Sequence, residues 1–381
     1  MTVKLYDVDS HIRKFQGEVQ SCLSAKQGYA VELSQTAFFA EGGGQQADRG
    51  MLDGQMVTDV QEKDGHIYHY VKEPIPVGKT VEGEIDWTFR FTNMQQHSGE
   101  HILSGIVYAW KGYHNVGFHM NETLTTIDFD GPLTAEELQE LEIRANRVIY
   151  ENQPVTIVYP SAAELEQMDY RSKKKLTGAI RIVKVGNSDC CACCAPHVKQ
   201  TGEIGQIKII QAENYKGGVR LTIVCGERAL LDYETKNRLL KEMGARLSVK
   251  PERLAAALQK QEQELQQMKE KLAALSGELV QLRLKQLSAQ SSVCLVETLL
   301  DSVAARNLVN GMASQLPGHG AVLLPKGENE FQYIIGSQTE DVRMLAAELA
   351  KRFQGRGGGS MQMVQGTVRG EAEEIQAFLC Q

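Results

Sequence analysis

Two short stretches decide how this chain is read: Gln96-His97-Ser98-Gly99-Glu100-His101 and, about ninety residues later, Cys193-Cys194-Ala195-Pro196-His197. Each pairs two metal-capable side chains at i and i+4. On a helix that spacing puts both on one face. Three imidazoles and a thiolate make a donor set suited to one zinc ion. The two stretches are therefore expected to close on a single metal, with His97, His101, Cys193 and His197 as its ligands.

The cysteines need a choice. Four of the eight fall at Cys190, Cys191, Cys193 and Cys194. Adjacent cysteines are poorly placed for ordinary disulfides, so metal binding and a reducing, cytoplasmic setting fit better. Cys190 and Cys193 form C-x-x-C, and Cys191 or Cys194 can compete for metal. Cys193 is preferred because it stands four residues from His197, as His97 does from His101. Nucleophilic catalysis by a cysteine is a second reading of the same cluster.

The rest of the composition sets bounds. A chain of 381 residues suffices for two or three domains. No apolar run reaches membrane-spanning length, and Met1 to Arg13 does not read as a secretory signal. The formal charge of −7 means that a nucleic-acid surface must be a local basic patch.

The expected fold class is α/β (α+β) in four parts. Residues 1–90 read as short strands between glycine turns, a small β-barrel or folded sheet, with strands at Tyr29–Leu33 and Ile67–Val71. Residues 91–240 form an α+β domain holding the zinc site. A helix is expected over 92–111, capped by Thr92 or Asn93, and another over Thr134–Val148 with a Thr134/Glu137 capping box. Strands are expected at Thr125–Phe129, Val155–Tyr159, Ala179–Val185, Gly205–Ile210 and Gly218–Val224. Residues 241–290 are a long helical linker in which Leu254, Leu258, Leu265, Met268, Leu272, Leu275, Leu279 and Leu282 repeat in coiled-coil steps, with Gln261 the polar member. Residues 291–381 form a small α/β domain, with Gly355-Arg356-Gly357-Gly358-Gly359 as a glycine-rich loop able to wrap phosphates.

The chemistry is less closely specified. Four protein ligands favour a closed structural site, whereas a catalytic zinc keeps a position for water or substrate. No general base stands out; Glu41, Glu100 and Gln45 are the candidates by chemistry. Ser98 follows His97 where a zinc metalloprotease has glutamate, which disfavours a peptidase. Arg171-Ser172-Lys173-Lys174-Lys175 is the densest basic run, and Arg171, Lys173 and Lys174 are candidate phosphate contacts.

Ordered motifs then carry a resemblance. Phe38-Phe39-Ala40-Glu41-Gly42-Gly43-Gly44-Gln45 is followed by Met94 through Leu103, Gly117-Phe118-His119, Thr126-Ile127-Asp128, Cys193 through His197, Thr201-Gly202-Glu203-Ile204-Gly205, and Gly357-Gly358-Gly359 with Gln365-Gly366. Over essentially its whole length the chain resembles the long form of the free-standing alanyl-tRNA editing proteins, relatives of the editing and C-terminal domains of alanyl-tRNA synthetase. The resemblance implies a hydrolase that removes serine, sometimes glycine, from mischarged tRNA(Ala). It implies zinc on His97, His101, Cys193 and His197, a pocket wall of Gly42, Gly43, Gly44 and Gln45, and Thr36 as the hydroxyl that senses serine. The last domain resembles the DHHA1 type and implies tRNA contact through Gly357, Gly358 and Gly359. A homodimer through the long helix or the last domain is a further expectation.

The sequence also departs from the pattern. Cys194-Ala195-Pro196 stands where relatives have Gly-Gly-Thr, Glu100 where they commonly have Gln, and Ala40 where Pro is common. These departures, with the four-ligand count, motivate the alternative of a non-catalytic tRNA- or RNA-binding protein with structural zinc.

Overall fold

The computed structural model describes residues 1–172, 180–287 and 290–380. It divides into two compact units, Met1–Leu240 and Lys241–Gln381.

In the first unit, alternating apolar residues build an antiparallel sheet of seven strands. They are β1 (Lys14–Ser24), β2 (Tyr29–Leu33), β3 (Gly50–Leu52), β4 (Gln55–Val57), β5 (Asp59–Lys63), β6 (His66–Val71) and β7 (Thr80–Ile85). Their spatial order is β4–β3–β7–β1–β2–β6–β5. The sheet curls until β4 approaches β6, so it is nearly closed. Its inward side chains, among them Val19, Val31, Leu33, Leu52, Ile67 and Val81, form one core with Phe38 and Phe39.

A long helix follows at once. Helix α1 spans Trp87–Lys111, five residues longer at its start than the expected 92–111. The cap is neither Thr92 nor Asn93 but Asp86, whose carboxylate accepts from the Phe89 N–H. Trp87 and Phe91 stack on each other and pack on the core, extending the apolar stripe back to the cap. Beyond α1, strands β8 (Asn115–Met120) and β9 (Thr125–Phe129) lead to helix α2 (Ala135–Tyr150), which carries the expected Thr134/Glu137 capping box. Strands β10 (Val155–Val158), β11 (Ile182–Val185) and β12 (Asp189–Ala192) form one antiparallel sheet. Strands β13 (Ile207–Tyr215) and β14 (Gly218–Cys225) join β8 and β9 in another, ordered β8–β9–β14–β13. These elements surround a second core that includes Ile102, Leu103, Val107, Ile127, Leu141 and Leu221. Cys193 packs against both cores, so the loop it begins lies along their boundary.

One buried ion pair pins that boundary. Arg90 of α1 and Asp48 are both fully buried. The Arg90 Nε donates to both Asp48 oxygens at 2.9 Å, Nη1 donates to the Ser10 carbonyl at 3.0 Å, and Nη2 donates to the Ala37 carbonyl at 2.6 Å. Asp48 also accepts from the Phe39 N–H at 2.6 Å.

Helix α3 (Glu227–Leu247) runs across the division between units, and a short 3-10 turn at Pro251–Arg253 precedes helix α4 (Leu254–Lys285). In the second unit, strands β15 (Val293–Val296), β16 (Gly320–Gly327), β17 (Glu330–Gly336), β18 (Arg356–Gly359) and β19 (Met363–Arg369) form a sheet ordered β15–β16–β17–β19–β18. Helices α4 and α5 (Ser302–Gln315) supply a core with one set of sheet residues; α6 (Val342–Arg352) and α7 (Ala372–Leu379) supply another with the alternate set. The expected glycine loop is instead β18, an exposed edge strand paired with β19. On α4, the seam residues Leu258, Leu265, Met268, Leu272, Leu275 and Leu282 are exposed. It is Val280 and Leu284, off the seam, that are buried in the core with α5. No helix among the described residues is long and apolar enough to cross a membrane.

Asp48→Ala would leave the Arg90 guanidinium buried without its counter-charge, a change that costs about 3–5 kcal/mol. Denaturant unfolding should read that loss; a loss below about 1 kcal/mol would contradict the anchoring role assigned to the pair.

Candidate metal centre

Helix α1 presents His97 and His101 on one face, and the loop after β12 presents Cys193 and His197. All four are drawn together: their ligand atoms lie within 4.8 Å of one another. The Cys193 Sγ stands 3.6 Å from His97 Nε2 and 3.4 Å from His197 Nε2. Ligands held tetrahedrally by zinc at ordinary Zn–N and Zn–S lengths stand about 3.6 Å apart, so the donor set fits that ion.

Each imidazole has a separate partner on its other nitrogen. His97 Nδ1 meets Gln45 Oε1 at 3.0 Å, His197 Nδ1 meets Ser98 Oγ at 3.0 Å, and His101 Nδ1 meets Asp189 Oδ2 at 2.7 Å. With Nδ1–H donating, each ring keeps its Nε2 lone pair for a metal, as is usual for metal-bound histidine. Asp189 is itself clamped by Arg171, whose Nε and Nη2 donate to its two oxygens at 2.7 and 2.8 Å.

A glycine makes this closeness feasible. Gly105 lies one turn beyond His101, and a Cβ there would overlap the Ser188 carbonyl and crowd the Asp189 Cβ at 2.8 Å. The bare helix surface lets the start of β12 approach until Asp189 reaches His101.

The electrostatics single out one cysteine. Burial raises the thiols of Cys190 and Cys191, Cys191 to about 11. Burial also opposes ionisation of Cys193, but His97, His197 and hydrogen bonds from His101 and His197 outweigh it and pull this thiol well below its ordinary range. Burial pushes His197 down to about 3. For His101 burial acts in the same direction, but Asp189, Cys193 and Glu100 together raise it well above the usual imidazole value.

The loop through Cys194-Ala195-Pro196 is firmly held. Arg181 Nη1 donates to the carbonyls of Cys193 and Ala195 at 2.8 and 3.0 Å, and Ser10 Oγ donates to the His197 carbonyl at 2.7 Å. Ala195 is fully buried in the first core. Cys194 is exposed and lies over the glycine loop, where a Cβ on Gly43 would come within 3.3 Å of its sulfur.

The other expected site residues fall in different places. The Gly42–Gln45 turn closes through Gly42 N–H to Gln45 O at 3.1 Å and Gln45 N–H to Gly42 O at 2.9 Å, with Gly43 and Gly44 at positive φ. Gly44 presses on Phe118, whose ring lies 4.9 Å from that of His97. Gln45 is therefore brought to the centre, and so is Glu100. The Glu100 Oε1 accepts from Ser104 Oγ at 2.7 Å and from Asn115 Nδ2, while Oε2 stands 3.9 Å from His101 Nε2. Glu41 is not among the groups that meet there; it is exposed, 3.5 Å from Gln61 Nε2. Arg171, expected to meet phosphates, is largely buried against Asp189. Lys173 and Lys174 lie outside the described residues. Gly357, Gly358 and Gly359 are on the exposed edge strand of the second unit.

Thr36 is fully buried, with its hydroxyl 2.8 Å from His69 Nε2 and accepting from the Phe38 N–H at 3.1 Å. His69 Nδ1 donates to the Val31 carbonyl at 2.9 Å, so Nε2 accepts the Thr36 proton. One Thr36 lone pair remains.

The sequence reading passed over Asp189, Arg181 and Ser98. Asp189 precedes Cys193 by four residues, and Ser98 lies beside His97 inside the first motif. An oxygen side chain that close to a ligand is a standing candidate for orienting it.

Two family descriptions match parts of the chain: the threonyl and alanyl tRNA synthetase second additional domain over residues 180–222, and class II (A) tRNA synthetases over residues 6–89. The alanyl-tRNA editing protein AlaX-L of Pyrococcus horikoshii is 28% identical, with 98% of this chain and 96% of that protein aligned. The alanyl-tRNA editing protein Aarsd1 of Rattus norvegicus is 26% identical, with 97% and 96% aligned. The chain is thus similar, over nearly its whole length, to proteins named for alanyl-tRNA editing. It is also 32% identical to the alanine–tRNA ligase of Archaeoglobus fulgidus, where it spans only 42% of the longer protein. The matched 180–222 segment includes the whole Cys193–His197 loop and the arginine that holds it.

The neutral, buried His69 gives a pH prediction. Burial lowers this imidazole from 6.5 to about 4. Below about pH 6.5 the unfolded chain takes up a proton that the folded chain refuses, so stability should fall as pH drops from 6.5 towards 4, by about 3 kcal/mol in full. The difference between wild type and His69→Gln in denaturant unfolding across that window isolates the term. Parallel profiles for the two proteins would contradict it.

Proposed function

We propose that this chain is an aminoacyl-tRNA deacylase: it hydrolyses the ester of tRNA(Ala) mischarged with serine, or with glycine, through a zinc held by His97, His101, Cys193 and His197. One observation carries the reading. In a chain that aligns end to end with named alanyl-tRNA editing proteins, three oriented imidazoles and a favoured thiolate converge beside the glycine turn at 42–45. Bound there, zinc supplies Lewis acidity, which polarises a carbonyl or makes water a better nucleophile.

The chain's own residues do the rest. Gln45, Ser98 and Asp189 hold the three rings in the tautomer that leaves Nε2 available. Glu100, held through Oε1, keeps its second oxygen beside the ligand cluster, where it can hold a water. The Gly42–Gly44 turn bears no side chains, so the aminoacyl group can approach its backbone. Thr36 offers serine an acceptor lone pair and no proton, because His69 takes its hydrogen. Alanine lacks the hydroxyl that would satisfy a polar pocket of this kind.

The four sequence segments divide the work under this reading. Residues 1–90 supply the glycine turn and 91–240 the metal centre. The exposed leucine seam of α4, within 241–290, suits a second copy of the chain. Residues 291–381 act as a DHHA1-like tRNA-binding domain, with the glycine edge strand admitting a phosphate backbone closely. A second reading, tRNA binding around a structural zinc without turnover, is favoured by the four-donor count alone.

A deacylation assay on seryl-, glycyl- and alanyl-tRNA(Ala) separates the two. Serine should be released rapidly, with little release of alanine, and a chelator or His101→Ala should abolish the activity. A zinc-loaded wild type that binds these tRNAs and releases no amino acid would overturn the proposal in favour of the second reading.

A further inference from the structure

Gln45 has one end satisfied and one end orphaned. The residue is 1% exposed. Its Oε1 accepts from His97 Nδ1 at 3.0 Å. Its Nε2 has no hydrogen-bond partner among the described residues. Buried amide donors are rarely left without a partner, and one that is calls for an explanation.

The orientation is not arbitrary. If His97 offers Nε2 to a metal, its Nδ1 must carry the proton. That proton can be accepted only by the amide oxygen, so Nε2 is forced to the other side of the Gln45 plane. A metal ligand thereby fixes where the two N–H bonds point. The surroundings suit a substrate. Gln45 ends the glycine turn, Gly43 and Gly44 are exposed, and Phe118, against which Gly44 packs, lies beside the His97 ring.

We propose that Gln45 is a catalytic residue whose Oε1 orients the metal ligand His97 while its Nε2 donates a hydrogen bond to the carbonyl oxygen of the scissile aminoacyl ester. The donor role rests on the deacylase reading above; the orienting role does not. In the reaction, water oxygen bonds to the ester carbonyl carbon and the bond from that carbon to the ribose oxygen breaks. The proton released by the water ends on the departing ribose hydroxyl. Between these events the carbonyl oxygen carries negative charge, and that is the charge the Gln45 N–H stabilises without giving up its proton. A neutral amide suits the position, since it holds the imidazole on one side and donates on the other. A carboxylate can do only the first.

Gln45→Glu and Gln45→Met separate the two ends. The measurements are zinc affinity by competition with a chelating dye, and kcat and KM on seryl-tRNA(Ala). Gln45→Glu keeps an acceptor for His97, so zinc should bind as tightly as in wild type or tighter. It loses the donor, so kcat should fall about 10²- to 10³-fold. Gln45→Met loses both ends and should also bind zinc about 10- to 100-fold more weakly. A Gln45→Glu protein with near wild-type kcat would overturn the donor role. A Gln45→Glu protein that loses zinc as Gln45→Met does would overturn the orienting role. A wild type inert towards the ester would overturn the deacylase reading and the donor role with it, while the zinc measurements would still decide the orienting role.

Discussion

The buried pair between Arg90 and Asp48 ties three segments of the first unit to one point. Arg90 is on the helix that carries His97 and His101, Asp48 lies just after the glycine turn, and the Ser10 and Ala37 carbonyls accept from the same guanidinium. Two charges taken out of water are costly unless every hydrogen-bonding position is met. Here the arginine is met by a carboxylate and two carbonyls, and the carboxylate also accepts from the Phe39 N–H. What the pair contributes is chiefly position. It sets the helix against the segment that delivers Gln45, and so decides that Gln45 meets His97.

From that placement the centre follows by close approach. The absence of a side chain at Gly105 admits Asp189 to His101, and Arg181 draws in the carbonyls on either side of Cys194. Three histidines on two segments thus acquire three chemically different partners: an amide, a hydroxyl and a carboxylate clamped by arginine. The rings need not be equivalent as ligands, because a carboxylate partner raises the basicity of its imidazole more than a neutral one does. The loop through Cys194-Ala195-Pro196 is held by its backbone carbonyls. Ala195 fills the core, and Cys194 turns outwards over Gly43.

Much of this was legible in the residues. The i,i+4 spacing identified the four side chains that meet, and the Thr134/Glu137 box placed the start of α2. The strand expected from alternation at Tyr29–Leu33 matches β2, and the one expected at Thr125–Phe129 matches β9. What local pattern missed depended on distant partners. Arg171 stands next to a basic run and reads as a phosphate contact; only folding shows Asp189 beside it. Three glycines after an arginine read as a loop, yet pairing with β19 makes them a strand. The cap of α1 is Asp86 rather than Thr92 or Asn93, because Trp87 and Phe91 carry the apolar stripe back to it. The resemblance implies a serine-sensing hydroxyl at Thr36; its hydrogen bond to His69 is a long-range contact that no spacing in the sequence reveals.

One metal bound by three nitrogens and one sulfur is what the proposed chemistry requires. X-ray absorption at the zinc edge, on the full chain purified without added metal and with its zinc content measured, tests this directly. The expected result is one zinc per chain with three nitrogen scatterers and a single sulfur. Two or more sulfurs, which would bring Cys190, Cys191 or Cys194 into the coordination in place of a histidine, would contradict it, as would a folded protein that takes up no stoichiometric zinc.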